Sequence, residues 1–132
     1  MDLEALRGSR PKAYLELMRP VNSVMASVAA VIGFLMSSRF SLDVGISGIV
    51  LLSISTFLFS SSSMAMNDYF DREVDSVNQP QRPIPSGRVK SREALIFSLV
   101  LMVVGFALSF LLSLETFIIA VVACLMFTAY NG

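Results

Sequence analysis

Histidine and tryptophan are absent from the 132 residues, and cysteine occurs once, as Cys124. Without histidine, metal and proton chemistry falls on carboxylates and amides. A lone cysteine excludes an intramolecular disulfide, and its place inside an apolar run makes Cys124 a small buried hydrophobe and not a reactive thiol. Charge is scarce as well: 15% of the residues are charged, and 10 basic side chains balance 10 acidic ones. There is consequently no basic footprint for nucleic acid. Apolar residues fill the space that charge leaves, at 55% of the chain with a mean hydropathy of +0.71. A soluble domain of that composition would leave too much apolar surface uncovered, so the chain belongs in a bilayer.

Four apolar stretches, at about 21–37, 46–66, 94–112 and 116–130, each approach the length that crosses roughly 30 Å of hydrocarbon. The first is longer than a signal-peptide core, and three more follow it. The predicted fold is all-α, a polytopic transmembrane helical bundle forming a single domain over residues 1–132, with a polar loop at 67–93. Arg7, Arg10, Lys12 and Arg19 precede the first span, and Arg72, Arg82, Arg88, Lys90 and Arg92 lie between the second and third. Arg39 is the one basic residue in the two opposite loops. That asymmetry puts the N-terminus and the 67–93 segment on the cytoplasmic side of the cell membrane.

Residues 1 to 18 read as an amphipathic lead-in, with Tyr14, Leu15, Leu17 and Met18 available to lie on the membrane surface. Pro20 opens the first span, where its missing N–H costs nothing. Small residues recur there at four-residue spacing (Ser23 and Ser27, Ala26 and Ala30, Ala29 and Gly33), which lets helix backbones approach closely in lipid. Asn22, one turn inside the boundary, needs hydrogen-bond partners that lipid cannot supply; a substrate or a neighbouring helix would serve equally. The run from Ser60 to Ser63 leaves space at the end of the second span. Pro80, Pro83, Pro85 and Gly87 then exclude a helix from the connection, and Ser91 reads as the N-cap of the third span.

The densest chemistry lies in Asn67-Asp68-Tyr69-Phe70-Asp71-Arg72-Glu73-Val74-Asp75. On a helix, Asn67, Asp71, Asp75 and Asp68 fall at roughly 0°, 40°, 80° and 100°, while Glu73 points to about 240°. Three carboxylates on one arc repel one another unless a cation sits among them, and Mg²⁺ favours carboxylates shared with water and substrate phosphates. Asn67, Asp68, Asp71 and Asp75 are therefore the predicted metal ligands, with Asp68, Asp71 and Asp75 carrying the catalysis. The following loop sets Arg82, Arg88, Lys90 and Arg92 beside them, which suits a polyanionic ligand shared between metal and guanidinium, such as a diphosphate, and Arg82 is the one assigned that function. Lys90 and Arg92, at the edge of the next span, serve topology.

This segment, followed by Asn78-Gln79-Pro80-Gln81-Arg82-Pro83-Ile84-Pro85-Ser86-Gly87, resembles the UbiA superfamily of intramembrane prenyltransferases. Leu17-Met18-Arg19-Pro20-Val21-Asn22 and Tyr130 extend the resemblance over nearly the whole chain from Tyr14. It implies helices around a central cavity, Mg²⁺ holding a prenyl diphosphate, and alkylation of an acceptor. Arg82 would hold the diphosphate, Arg19 and Asn22 would orient diphosphate or acceptor, Tyr130 would line the substrate site, and Phe57, Phe59 and Phe70 would keep water from an allylic cation. Glu16-Leu17-Met18-Arg19-Pro20-Val21-Asn22 with Asn67-Asp68-Tyr69-Phe70-Asp71 looks most like the archaeal branch that moves a geranylgeranyl group from its diphosphate onto geranylgeranylglyceryl phosphate. Other branches alkylate aromatic or quinone-precursor acceptors.

The resemblance also implies about nine membrane helices and a second Asp-rich motif, of which this sequence holds about four spans and one motif. The expectation is the N-terminal half of an enzyme, inactive alone, whose partners are the remaining helices, membrane lipid and the two substrates. Two other classes fit less well. A CDP-alcohol phosphotransferase needs a D-G-x-x-A-R opening that is absent. A divalent-cation transporter needs acidic residues deeper in the spans, whereas these sit at one end beside a basic loop.

Overall fold

The structure is a computed structural model, which describes residues 10–37 and 45–131. Arg7 and Arg39, which help to orient the spans, lie outside the described residues. Six helices follow one another: α1 (Arg10–Met18), α2 (Pro20–Ser37), α3 (Gly45–Phe70), α4 (Arg72–Asn78), α5 (Ser91–Leu112) and α6 (Leu114–Asn131). Three runs are long and apolar enough to cross a membrane, Pro11–Met36, Gly45–Phe70 and Ser91–Leu112, with a shorter apolar helix at Leu114–Met126. The all-helical architecture and the span positions agree with the sequence; α6 is the short member.

At 26 residues, α3 extends for about 39 Å, several ångströms more than the hydrocarbon requires, so its last turn carries Asn67 and Asp68 to the membrane boundary. It is also the central helix, packing on α2 along one side and α5 along the other, while α6 rests on α5. Serines make these contacts close. Ser23 Oγ and Ser61 Oγ lie 3.0 Å apart, Ser27 Oγ donates to the Ser53 carbonyl at 2.9 Å, and Ser62 Oγ donates to the Ser98 carbonyl at 2.8 Å. Gly105 of α5 admits the Phe59 ring at 3.4 Å from where a Cβ would sit. Hydroxyls that bond across helices give direction to packing that hydrophobic burial cannot drive in lipid.

Several local expectations change. Ser61 and Ser62 are buried, so they hold α3 to α2 and α5 instead of leaving space. Of the small-residue pairs on α2, Ser23 and Ser27 are buried, whereas Ala29 and Gly33 are exposed with nothing near Gly33. Ser91 is the first helical residue of α5 and not its cap; Glu93 reaches back to accept from the Lys90 N–H at 3.3 Å. Nor does α1 lie on a lipid surface with all its apolar residues. Ala13 and Leu17 are fully buried in a cluster with Ala65, Ile84, Val89 and Ala94, and Tyr14 meets Phe97 edge-on at 4.9 Å. The lead-in thus packs over the polar loop and the start of α5.

Leu17→Ala should destabilise the folded protein by about 2–4 kcal/mol, because it empties that cluster. Leu15→Ala, on an exposed residue of the same helix, should change little. Chemical unfolding in detergent, followed by the fluorescence of a label on α1, tests the pair; equal effects would place α1 on lipid after all.

Candidate functional site at the α3–α4 junction

The acidic segment keeps its helical pitch across the α3–α4 boundary. Asp71 N–H donates to the Asn67 carbonyl at 2.9 Å and Asp75 N–H to the Asp71 carbonyl at 2.8 Å, although Asp71 itself leaves ideal helix at φ −87° and ψ 5°. Asp68 and Asp75 are buried, and Glu73 is exposed on the other side. Burying carboxylates requires partners. Arg82 supplies one from the loop: its Nη1 donates to Asp75 Oδ2 at 2.8 Å and lies 3.5 Å from Asp68 Oδ1. Arg19 supplies the other, its Nη2 donating to Asp68 Oδ1 at 2.7 Å.

Arg19 reaches Asp68 from the break between α1 and α2. Its backbone sits in the left-handed region at φ 46°, a conformation that costs an ordinary residue of order 1 kcal/mol and persists where surrounding contacts enforce it. Asn67 and Asp71 form a second pair: the Asn67 amide donates to Asp71 Oδ2 at 3.2 Å. Asp71 makes no ion pair among the described residues. The motif's own arginine is turned away, since Arg72 stacks on the Tyr69 ring at 4.4 Å and donates to the Tyr69 carbonyl. The ligand arc is thus divided into an arginine-bound pair, Asp68 and Asp75, and a half-buried pair, Asn67 and Asp71.

Among the described residues, no three acidic side chains stand close enough to enclose an ion by themselves. That donor set fits an ion such as Mg²⁺, which takes one or two carboxylates and completes its shell with water and substrate phosphate. The arrangement is also matched to a phosphate ligand, because two guanidinium groups already converge on one point.

The remaining predicted residues are spread more widely. Asn22 is exposed on α2, and Tyr130 is 90% exposed near the end of α6; neither joins the acidic cluster. Phe59 packs between α3 and α5, with Phe106 at 4.9 Å and Gly105 against its ring. Phe70 is partly exposed beside Tyr69. Phe57 alone of the three lines an apolar groove, a space of about 490 Å³ between α2 and α3 that also touches Val24, Val28 and Ile49. Lys90 and Arg92 are exposed, away from the acidic residues.

Sequence reasoning missed one pair. Arg88 grips Glu16 of α1 with both ends of its guanidinium, at 2.9 and 2.8 Å, and these hydrogen bonds raise the Arg88 guanidinium above its ordinary value. The two residues are 72 positions apart, so no local spacing signals the contact.

A model described as the UbiA prenyltransferase family matches residues 26–132. Digeranylgeranylglyceryl phosphate synthase of Methanopyrus kandleri is 40% identical over 120 residues, covering 91% of this chain and 43% of that protein. The synthase of the same name from Methanothrix thermoacetophila is 47% identical over 91 residues, 69% of this chain and 33% of its own, and that of Methanosphaera stadtmanae is 34% identical over 117 residues, 89% and 41%. A solved structure, reported as giving structural and mechanistic insights into the biosynthesis of digeranylgeranylglyceryl phosphate synthase in membranes, superposes with a TM-score of 0.86 at 38% identity, over 92% of this chain and 43% of that one. The chain therefore spans about two fifths of the length of most of these relatives.

Asp75→Asn should lower stability by about 1–3 kcal/mol, since it leaves Arg82 with half of its buried anchorage. Glu73→Gln, one turn face away, should stay within about 0.5 kcal/mol of the native protein. Thermal melts in one detergent compare them, and a Glu73 loss as large as that of Asp75 would refute the assigned faces.

Proposed function

The chain belongs to the UbiA prenyltransferase family, and from that premise we propose that it forms the diphosphate-holding end of an enzyme that moves a geranylgeranyl group from geranylgeranyl diphosphate onto geranylgeranylglyceryl phosphate. This places the protein in archaeal ether-lipid synthesis, a role that the names of its relatives support. The observation that carries the reading is the convergence of Arg19 and Arg82 on Asp68, with Asp75 beside it, at the mouth of a membrane helix. We assign the N-terminus and this site to the cytoplasmic face of the cell membrane, where a water-soluble diphosphate headgroup is at hand and the prenyl tail can lie in lipid.

Prenyltransferases of this family use a divalent cation, and we assign Mg²⁺ here: Asn67 and Asp71 would hold it, joined by Asp68 and Asp75 only once Arg19 and Arg82 turn to phosphate. When bound, the ion supplies positive charge to the diphosphate and stabilises it as a leaving group. The protein's own residues do the rest. Arg19 and Arg82 turn part of their hydrogen bonding from carboxylate to phosphate oxygens, which fixes the headgroup and disperses the charge that builds as the allylic C–O bond breaks. The groove beside Phe57, about 16 Å along α3 from Asp68, receives the far part of the apolar chain. The glyceryl hydroxyl oxygen then bonds to the cationic carbon and gives up its proton to released diphosphate or solvent. Asn22 and Tyr130, both outside the cluster, remain for the acceptor side, where the further helices of the family would face them.

Asp71→Asn should reduce turnover by about 100-fold or more, because Asp71 is the carboxylate of the motif that no arginine among the described residues neutralises. Arg82→Ala should raise KM for the prenyl diphosphate more than KM for the acceptor. Both are measured as ether-lipid formation from geranylgeranyl diphosphate and geranylgeranylglyceryl phosphate, with the chain produced together with the C-terminal remainder of the Methanopyrus kandleri relative. Product from an aromatic acid alone would overturn the acceptor assignment.

The 132-residue chain by itself should release no diphosphate from geranylgeranyl diphosphate in the same membranes. The relatives are more than twice as long, and the exposed apolar faces of α2, α5 and α6 offer room for further helices that would close the cavity. Turnover by the chain alone at the rate of the assembled enzyme would refute the need for them.

A further inference from the structure

Arg82 owes its position to a loop with little regular structure. Within residues 79–90, Arg82 N–H donates to the Gln79 carbonyl, Ser86 N–H to the Arg82 carbonyl and Val89 N–H to the Pro83 carbonyl. Gly87 closes the turn at φ 80°. These bonds shape the loop without attaching it to the bundle. Besides the ion pairs of Arg82 itself with Asp75 and Asp68, two kinds of contact attach it. Ile84 and Val89 enter the apolar cluster with Ala13 and Leu17 of α1; such packing is non-directional and tolerates small slides. The other contact is Arg88. Its two terminal nitrogens take the two carboxylate oxygens of Glu16 at 2.9 and 2.8 Å, and the same Nη2 donates to the Gln81 carbonyl at 2.8 Å. Gln81 directly precedes Arg82.

A single guanidinium therefore ties α1 to the peptide that carries Arg82. Glu16 is likewise three residues from Arg19, and Arg19 N–H donates to the Glu16 carbonyl at 3.3 Å. Both arginines that meet at Asp68 are thus referred to the same turn of α1, Arg19 through the backbone and Arg82 through Arg88. We propose that Glu16 and Arg88 form a strut that positions Arg82 over Asp68 and Asp75, and so sets the spacing of the two guanidinium groups for a diphosphate. The inference rests on the diphosphate-binding reading above and adds to it two positioning residues that touch no substrate. Geometry favours this role over a purely stabilising one. The Glu16 side chain is 37% exposed, and ion pairs near water contribute little to stability, whereas a bidentate fork fixes orientation in a plane.

The test uses the chain assembled with the C-terminal remainder of the Methanopyrus kandleri relative, in lipid nanodiscs, as native protein, Glu16→Gln and Arg88→Gln, each also combined with Arg82→Ala. Two quantities are read: amide hydrogen exchange across residues 79–90 without ligand, and the affinity for inorganic diphosphate with Mg²⁺. Each single variant should speed exchange in the loop by about tenfold and weaken diphosphate by about tenfold, with α3 and α5 unchanged, because a shift of about 1 Å is enough to spoil such a site. With Ala at position 82, Glu16→Gln and Arg88→Gln should have no further effect on affinity, since the strut acts through Arg82. Native loop exchange in both single variants would overturn the strut. So would an affinity loss that persists undiminished in the Arg82→Ala background. If the native chain binds no diphosphate, the functional reading is what fails, and the strut is then decided by the exchange data alone.

Discussion

The structure turns on the burial of two carboxylates at the end of a membrane helix. Asp68 and Asp75 are nearly inaccessible, and an unpaired charge in such a place would cost several kcal/mol. Arg19 and Arg82 meet that requirement from opposite directions in the sequence, one from the α1–α2 break and one from the proline-rich loop. To bring them there, the chain must fold α1 back over the loop and dock the loop on the end of α3. The left-handed backbone at Arg19, the turn at Gly87 and the apolar cluster around Leu17 are consequences of that demand.

The same geometry explains how a resting site of this kind remains soluble in its own environment. Replacing the ion pairs by apolar residues would often be neutral or stabilising, so their persistence is not a stability device. Guanidinium groups hold the two carboxylates close together. Asp71 is the contrasting member: among the described residues it is paired with the neutral Asn67 amide and with no arginine.

Much of this was legible in the sequence because it depends on periodicity and composition. The apolar runs predicted α2, α3 and α5 to within a few residues, and the proline-rich stretch predicted the loop. The helical spacing of Asn67, Asp68, Asp71 and Asp75 likewise separated them from Glu73. What spacing does not encode is contact between distant segments. Charge repulsion among the carboxylates called for a cation, and the loop already placed Arg82 near them; that Arg19 joins it at Asp68 depends on the path of α1. The pairing of Glu16 with Arg88 was invisible for the same reason. Phe59 was assigned to a cavity because an aromatic near a site is ambiguous, and the deciding fact, a glycine facing it at position 105, lies on another helix.

The serines show where hydrophobic reasoning stops. In water, a run such as Ser60 to Ser63 would read as a break or a cap. Within lipid, a buried hydroxyl must find an acceptor, and carbonyls of a neighbouring helix are within reach only when the backbones are close. Ser62 on Ser98, Ser27 on Ser53 and Ser23 beside Ser61 therefore fix the register of α2 and α5 against α3. That register carries upward to the site. A slide of α2 by one turn would move Arg19 about 5 Å from Asp68, and the same slide would break the Ser23–Ser61 and Ser27–Ser53 hydrogen bonds. The polar contacts in the middle of the bundle and the ion pairs at its mouth are thus parts of one constraint, in which packing at membrane depth determines where charge is placed at the boundary.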